Sequence, residues 1–152
     1  MSTRVLGINC TTSVAYLALA EDQQIASGLT ERLNPPVGLE AGEALLEFVD
    51  SAQRALREMK PARVELLLPE RWQATYHEHV PRATLEALIR VAAAREQVWI
   101  EILPRPTLRT RLHLSKKDKL EVHLPRAGPV VGRYWGAGRG LAALAALAGE
   151  VG

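Results

Sequence analysis

A dense group of basic side chains lies in the C-terminal third of this sequence. Residues 104–139 carry nine lysines and arginines against two acids, a net charge of +7, whereas the rest of the chain carries −5. Such a cluster is typical of a surface that contacts a polyanion such as DNA or RNA, and a solvated arginine-rich loop is the equally weighted alternative. The predicted phosphate-binding residues are Arg105, Arg109, Arg111, Lys116, Lys117, Lys119, Arg126 and Arg133.

Aromatic and histidine side chains give two further candidates. Arg133-Tyr134-Trp135 and the group Trp72, Tyr76 and His77 could stack on bases, and core packing of the large aromatics remains open as the alternative. His77-Glu78-His79 resembles a metal motif, but alternate histidines share a face only on a strand. No third ligand is near, so we expect a surface loop and no metal site.

The spacing of apolar residues and turn signals predicts the elements that position these side chains. They are strands over 3–10, 13–20 and 25–31, a helix over 39–59, a strand over 64–68, a helix over 81–96 with Pro81 in its first turn, a strand over 98–103, short helices over 107–112 and 115–123, a glycine-rich loop over 126–138 and a final helix over 139–149. The order β-β-β-α-β-α-β-α predicts an α/β fold: one mixed sheet with helices on both faces. We expect a single domain over residues 1–152.

Composition limits the classes of protein. Of the 152 residues 47% are hydrophobic and 24% are charged, which is ordinary for a globular domain. The apolar tracts are too short to span a bilayer, no secretion leader is evident, and the one cysteine, Cys10, suits a reducing compartment. We therefore expect a cytoplasmic protein without a membrane partner.

Several segments resemble one family in order and spacing. They are the opening strand Arg4–Asn9, Pro69-Glu70 after the fourth strand, Leu103–Leu108, the basic Ser115–Val122 and the helix start Gly136–Ala142. Together they resemble the RuvC-type Holliday junction resolvases, which have the ribonuclease-H-like fold. The resemblance implies that fold over almost the whole chain.

The resemblance also implies a catalytic site, and this sequence departs from it. The family uses four carboxylates to hold two divalent ions that cleave a phosphodiester. Transferred residue by residue, the four positions fall on Asn9, Glu70, Gly136 and Arg139, so only Glu70 keeps a carboxylate. Magnesium prefers charged oxygen ligands, so we expect neither a bound metal nor any other cofactor at this degenerate site. Arg139 is predicted to pair with Glu70 and to replace the charge of the metal.

The sequence thus predicts a RuvC-like protein that has lost nuclease activity and binds nucleic acid, either a DNA junction or other structured DNA or RNA, or a protein partner. One alternative is an active endonuclease that uses Mg²⁺ or Mn²⁺ at a site rebuilt around Glu70 with Asp118, Glu121 or a histidine. Another is a protein–protein scaffold without affinity for nucleic acid. The resolvases act as dimers, so the resemblance implies a homodimer.

Overall fold

The computed structural model describes residues 3–37, 40–69, 76–127 and 133–152, with the backbone alone at residues 76–78. The elements in chain order are β1 (Val5–Cys10), β2 (Ala15–Glu21), β3 (Gln24–Ile25), β4 (Arg32–Leu33), α1 (Ala41–Met59), β5 (Arg63–Leu67), α2 (Tyr76–Arg95), β6 (Trp99–Leu103), α3 (Arg105–Arg111), a 3₁₀ helix (Leu120–Ala127), a π-helical turn (Trp135–Arg139) and α4 (Gly140–Val151).

One mixed sheet forms the centre of the molecule. Its strand order is β3-β2-β1-β5-β6, with β4 also paired to β2. The central strand β1 runs antiparallel to β2 and parallel to β5, and β5 runs parallel to β6. The predicted α/β class with a mixed sheet is therefore confirmed.

Both faces of the sheet are covered, because successive side chains of a strand point to opposite sides. Leu6 and Ile8 of β1 pack with Phe48 of α1 and Ile89 of α2 in one buried cluster. The other face packs under α3, the 3₁₀ helix and α4. The alanines and leucines of α4 are almost all buried. The prediction of helices on both faces is confirmed.

Helix α4 lies directly on β1 at a glycine. A Cβ atom added to Gly7 would overlap the carbonyl oxygen of Ala142 and lie 2.6 Å from the amide nitrogen of Ala146. The absence of a side chain at Gly7 therefore sets how closely α4 approaches the strand, and the alanine-rich composition of α4 allows the same approach from its side.

The third predicted strand is wrong in part. Residues 25–31 do not form one strand; two-residue strands β3 and β4 each pair with β2 instead. The amide of Ala26 still donates to the carbonyl of Leu19, and that of Leu17 to Glu31, but the chain turns away between them around Gly28, whose φ is 77°.

Several helix predictions also need correction. Helix α2 begins at Tyr76, five residues before the predicted start, and includes Pro81, which costs it one backbone hydrogen bond without ending it. The short helix predicted at 115–123 is a 3₁₀ helix from Leu120 to Ala127. The predicted loop at 126–138 overlaps the end of that helix and contains the π-helical turn.

Among the described residues, no helix is both long enough and apolar enough to cross a bilayer.

Candidate functional site

Asn9 lies at the carboxyl end of β1, on the face covered by α4. It stands in register with Tyr16 of β2 and Leu67 of β5, and it is 3% exposed. Its side-chain Nδ2 donates a hydrogen bond of 3.1 Å to the carbonyl of Gly138, whereas its Oδ1 is buried and accepts no hydrogen bond from any described residue. A buried acceptor without a donor costs folding free energy, so Oδ1 is an unfavourable feature of this end of β1.

The π-helical turn brings the start of α4 over Asn9. Tyr134 has a positive φ of 69°, and its carbonyl oxygen accepts hydrogen bonds from the amides of Ala137, Gly138 and Arg139. Gly138 has a φ of 150°, and a Cβ atom there would lie 2.6 Å from the ring of Tyr16. Glycine is thus required at this position by both backbone angle and space.

The side chain of Arg139 is buried against β2. Its Nε donates a hydrogen bond of 2.9 Å to the carbonyl of Leu17, Nη1 lies 3.8 Å from Oε1 of Glu31, and the guanidinium carbon is 5.9 Å from the centre of the Trp135 ring. Burial lowers the pKa of Arg139, an effect that the charge of Glu31 opposes. Glu70 lies outside the described residues, so the Arg139–Glu70 pair stays a prediction.

A cavity of about 210 Å³ opens beside Asn9 and the π-helical turn. Its walls come from the end of β1, from α2, α3 and the 3₁₀ helix, and from the π-helical turn with the start of α4. The lining side chains that carry polar atoms belong to Asn9, Cys10, Thr11, Arg82, Arg105, Glu121 and Trp135. Gly136, which the resemblance assigns to the third acid, also lines the cavity without contributing a side chain.

Two arginines reach the cavity from different helices and bind the chain at the end of β5. Arg82 of α2 donates to the carbonyl of Leu67 at 3.4 Å, and its Nε lies 3.7 Å from Glu86. Arg105 of α3 is 8% exposed, and its Nε donates to the carbonyl of Leu68 at 2.9 Å. Two guanidinium groups thus stand at the carboxyl edge of the parallel strands.

Two other lining residues have polar atoms with distinctive surroundings. Burial raises the pKa of the Cys10 thiol to about 12, and the nearby carboxylate of Glu86 acts in the same direction, so Cys10 remains a neutral thiol. Trp135 is 6% exposed, and its indole Nε1 has no hydrogen-bond acceptor in the described part of the chain.

The described residues do not fit a pair of divalent ions. Asn9 offers one neutral oxygen, Gly136 has no side chain to offer, and Arg139 brings a positive charge to the end of the π-helical turn. The cavity also has two arginines, against Glu121 as a carboxylate. Within residues 3–37, 40–69, 76–127 and 133–152, no cluster of three or more His, Cys, Asp or Glu side chains could hold a metal ion. Hard divalent cations require charged oxygen ligands.

The predicted phosphate-binding residues divide into two groups. Arg105 and Arg109 are buried, and Arg111 is held by the carboxylates of Glu65 and Glu101 at 3.4 and 3.1 Å. The second group is exposed, and we call it the basic surface group: Lys116, Lys117, Lys119, Arg126 and Arg133. Within it, Arg126 also donates to the carbonyl of Leu112 at 2.6 Å.

The other candidate residues have mixed outcomes. Trp72 and the side chains of Tyr76, His77 and Glu78 lie outside the described residues. The backbone of residues 77–79 is helical and not extended, and the prediction of a surface loop there is therefore wrong. Asp118 lies 3.5 Å from Nε2 of His123. Tyr134 is half-buried, with the guanidinium of Arg32 4.1 Å from its ring centre.

Sequence reasoning missed the cavity. Arg82 carries no local signal, because its proximity to Arg105 depends on how the N-terminal parts of α2 and α3 both lie beside the carboxyl end of β5. The sequence placed Asn9 at the end of the first strand, but only the assembled fold shows that its amide binds Gly138.

The fold belongs to the ribonuclease-H-like class, as comparison with solved structures shows. A structure of RuvC from Thermus thermophilus in complex with Holliday junction substrate matches with a TM-score of 0.73 and 13% identity over 96% of this chain and 91% of that chain. A second T. thermophilus RuvC structure matches equally well, over 92% of its length. The RuvC-like fold is therefore established. No protein-family model matches the sequence, and no curated protein matches it by sequence.

Proposed function

We propose that this protein binds structured nucleic acid, such as a four-way DNA junction, and does so without metal-dependent cleavage. The observation that carries the proposal is the RuvC fold over 96% of the chain, matched to a RuvC structure bound to a Holliday junction substrate. The basic surface group supplies the charges that such binding requires.

The loss of cleavage rests on the chemistry at the carboxyl end of β1. Two-metal hydrolysis depends on carboxylates that neutralise the ions and fix their positions. Asn9 is neutral and its amide is bound to Gly138, while the guanidinium of Arg139 is directed to Leu17 and Glu31. Arg82 and Arg105 add positive charge to the cavity wall, which repels a divalent ion.

The test is fluorescence anisotropy of a labelled four-way junction, titrated with protein in EDTA at two salt concentrations. We expect tighter binding to the junction than to a duplex of the same length. We also expect affinity to fall steeply with salt, since phosphate contacts release counterions. Equal weak binding to both DNAs, or no binding at low salt, would contradict the proposal and favour a protein-binding scaffold.

The same junction tests the enzymatic alternative when Mg²⁺ or Mn²⁺ replaces EDTA. We expect the strands to remain intact on a denaturing gel. Glu121 lies in the cavity wall, so the variant Glu121→Gln tests whether this carboxylate belongs to a rebuilt metal site. Nicking that requires a divalent ion and that Glu121→Gln abolishes would establish the nuclease alternative.

The proposal also includes a homodimeric assembly and a location in the cytosol. A homodimer fits the two-fold symmetry of a four-way junction, and the buried, neutral Cys10 suits a reducing cytosol. Sedimentation of the protein alone and with junction DNA would measure the stoichiometry; a single protomer in both states would contradict the dimer.

A further inference from the structure

The outer edge of β6 carries exposed apolar side chains. β6 pairs with β5 on one side, and no strand in the described part of the chain pairs with its other side. On this edge strand Trp99 is 70% exposed and Ile102 is 39% exposed. Edge strands normally avoid such side chains, because their free N–H and C=O groups can pair with a strand of another molecule. The edge of β6 therefore has the character of an interaction surface.

The outward-facing backbone groups of β6 belong to two residues. Along a strand of a parallel pair, successive residues direct their N–H and C=O groups to opposite sides. The carbonyl of Leu103 accepts a hydrogen bond of 3.0 Å from the amide of Leu68, so Leu103 and the alternate residues before it face β5. Ile100 and Ile102 consequently direct their N–H and C=O groups away from the sheet.

The residues on either side of this pair do not extend it. The amide of Val98 already donates to a carbonyl of α2 at 2.9 Å. Pro104 has no N–H, and its carbonyl accepts a hydrogen bond of 3.1 Å from an amide of α3. The available donors and acceptors are thus confined to Ile100 and Ile102, which are placed symmetrically about Glu101.

This symmetric set of groups is complementary to itself. We infer that the protein dimerises by antiparallel pairing of two β6 edges about a two-fold axis that passes between the Glu101 residues of the two copies. Ile100 of each copy then stands opposite Ile102 of the other, and each such pair exchanges both of its N–H···O bonds. Every outward group of the edge finds an identical counterpart, as an isologous interface requires.

The side chains of the paired strands fit the same register. Ile100 packs against the cluster between the sheet and α1 and α2, and Ile102 points to that face as well. In the dimer the isoleucines form cross-strand apolar pairs on this face. On the opposite face Trp99 stands across from Leu103 of the second copy, which covers part of its exposed ring.

The charge of Glu101 does not prevent the pairing. Two carboxylates directly opposite each other are unfavourable unless their charge is compensated. Arg63 and Arg111 lie 3.2 and 3.1 Å from the Glu101 carboxylate, and both also contact Glu65. The two arginines and two glutamates form a neutral set in each copy, so Glu101 brings no uncompensated charge to the axis.

The inference names the surface of the proposed homodimer, and it rests on that part of the proposed function alone. Antiparallel pairing makes one continuous sheet, in which the two-fold axis is perpendicular to the strands and keeps equivalent faces on the same side. The faces under α3 and α4, and with them the basic surface groups of both copies, therefore lie on one side of the dimer.

The first experiment is sedimentation velocity over a series of protein concentrations, without nucleic acid. We expect a dimer whose dissociation constant rises by about tenfold or more in Trp99→Lys and in Ile102→Pro. Trp99→Lys changes an exposed side chain, and Ile102→Pro removes an N–H that has no partner within the chain. The matched control is Leu46→Lys, which replaces a side chain 60% exposed on α1 and should leave the dimer unchanged. Circular dichroism checks that each variant is folded.

Cross-linking tests the register directly. The two Glu101 positions form a non-hydrogen-bonded pair with Cα atoms about 4.5 Å apart, which suits a disulfide. Glu101→Cys should therefore give a covalent dimer under mild oxidation, seen on a non-reducing gel. Trp99→Cys is the control, because its two copies are offset by four residues, roughly 13 Å along the strands. The wild type gives the background, since its Cys10 is buried.

Each outcome bears on the inference. A dimer that both edge variants weaken and that Glu101→Cys cross-links supports it. A monomer at all concentrations, a dimer that Leu46→Lys weakens and the edge variants do not, or a cross-link through Trp99→Cys alone overturns it.

Junction titrations of the same samples keep the two proposals distinguishable. A monomer that binds the junction overturns the edge-strand dimer and leaves nucleic-acid binding in place. An edge-strand dimer that binds no nucleic acid supports the inference and contradicts the proposed binding.

Discussion

At the scale of single residues, Arg139 shows how a charged side chain becomes part of the structure at a position where the resemblance implies a metal ligand. The guanidinium is buried, bonded to the Leu17 carbonyl and close to Glu31 and the Trp135 ring. A carboxylate at this place would leave the Leu17 carbonyl without its donor. Arg139 therefore links the π-helical turn before α4 to β2, in addition to changing the charge of the site.

The variant Arg139→Met measures this structural contribution. It keeps much of the side-chain volume but removes the donor to Leu17 and the partner of Glu31, so we expect the free energy of unfolding to fall by about 1–3 kcal/mol. Urea unfolding provides the measurement. The control Arg133→Met removes an exposed arginine and should change stability by less than about 0.5 kcal/mol. Equal effects of the two variants would contradict a structural role for Arg139.

At the scale of elements, the contact between β1 and α4 determines the position of the site. Gly7→Ala would place a methyl group on the Ala142 carbonyl and displace α4, together with the π-helical turn that holds Asn9. We expect a loss of about 3 kcal/mol or more, at the upper end of what overpacking costs. Gly42→Ala in α1 is the control: its added methyl group meets nothing within 4 Å, and alanine is a better helix former than glycine. Denaturant titration of both variants should therefore give opposite signs.

Two arginines and two glutamates form four ion pairs that join β5, β6 and α3. Arg63 and Arg111 each contact both Glu65 and Glu101, and Arg63 also donates to the carbonyl of Gly152 at 3.3 Å. Glu65 has no exposed surface, and burial raises its pKa above the ordinary value of 4.5, although Arg63 opposes the shift.

This shift predicts a pH dependence of stability. Between 4.5 and the higher folded-state pKa, the folded protein binds more protons at Glu65 than the unfolded chain does. The stability that Glu65 contributes is therefore complete below pH 4.5 and is lost as the pH rises through the folded-state pKa. Unfolding free energies of the wild type minus those of Glu65→Gln should decrease with rising pH over that interval. An increase would show that the arginines outweigh burial.

At the scale of the whole molecule, the sequence was sufficient for the fold class because periodicity reports which residues are buried. The strands near β1, β5 and β6 follow from short apolar runs bounded by turn signals, and the helices near α1 and α4 follow from their apolar residues. The short β3 and β4 strands and the early start of α2 depend on tertiary contacts that outweigh local signals.

The cavity escaped prediction for the same reason, since Arg82 and Arg105 are far apart in sequence and meet only at the end of β5. Charge counting identified the basic segment but could not separate Arg111, which Glu65 and Glu101 hold, from the exposed Lys116.

The difference between the paired Arg111 and the exposed Lys116 leads to a prediction about which face of the molecule binds nucleic acid. Lys116, Lys117 and Lys119 are exposed beside the cluster under α4, whereas Arg54 and Arg90 are exposed on α1 and α2, across the sheet. Replacing the three lysines by alanine should lower the slope of log affinity against log salt by up to about 2.7, at roughly 0.9 per phosphate contact. Replacing Arg54 and Arg90 by alanine should leave that slope unchanged, while both variants keep the unfolding temperature of the wild type. Junction titrations over a series of salt concentrations measure the slopes; equal losses in the two variants would mean that charge attracts the DNA without a defined binding face.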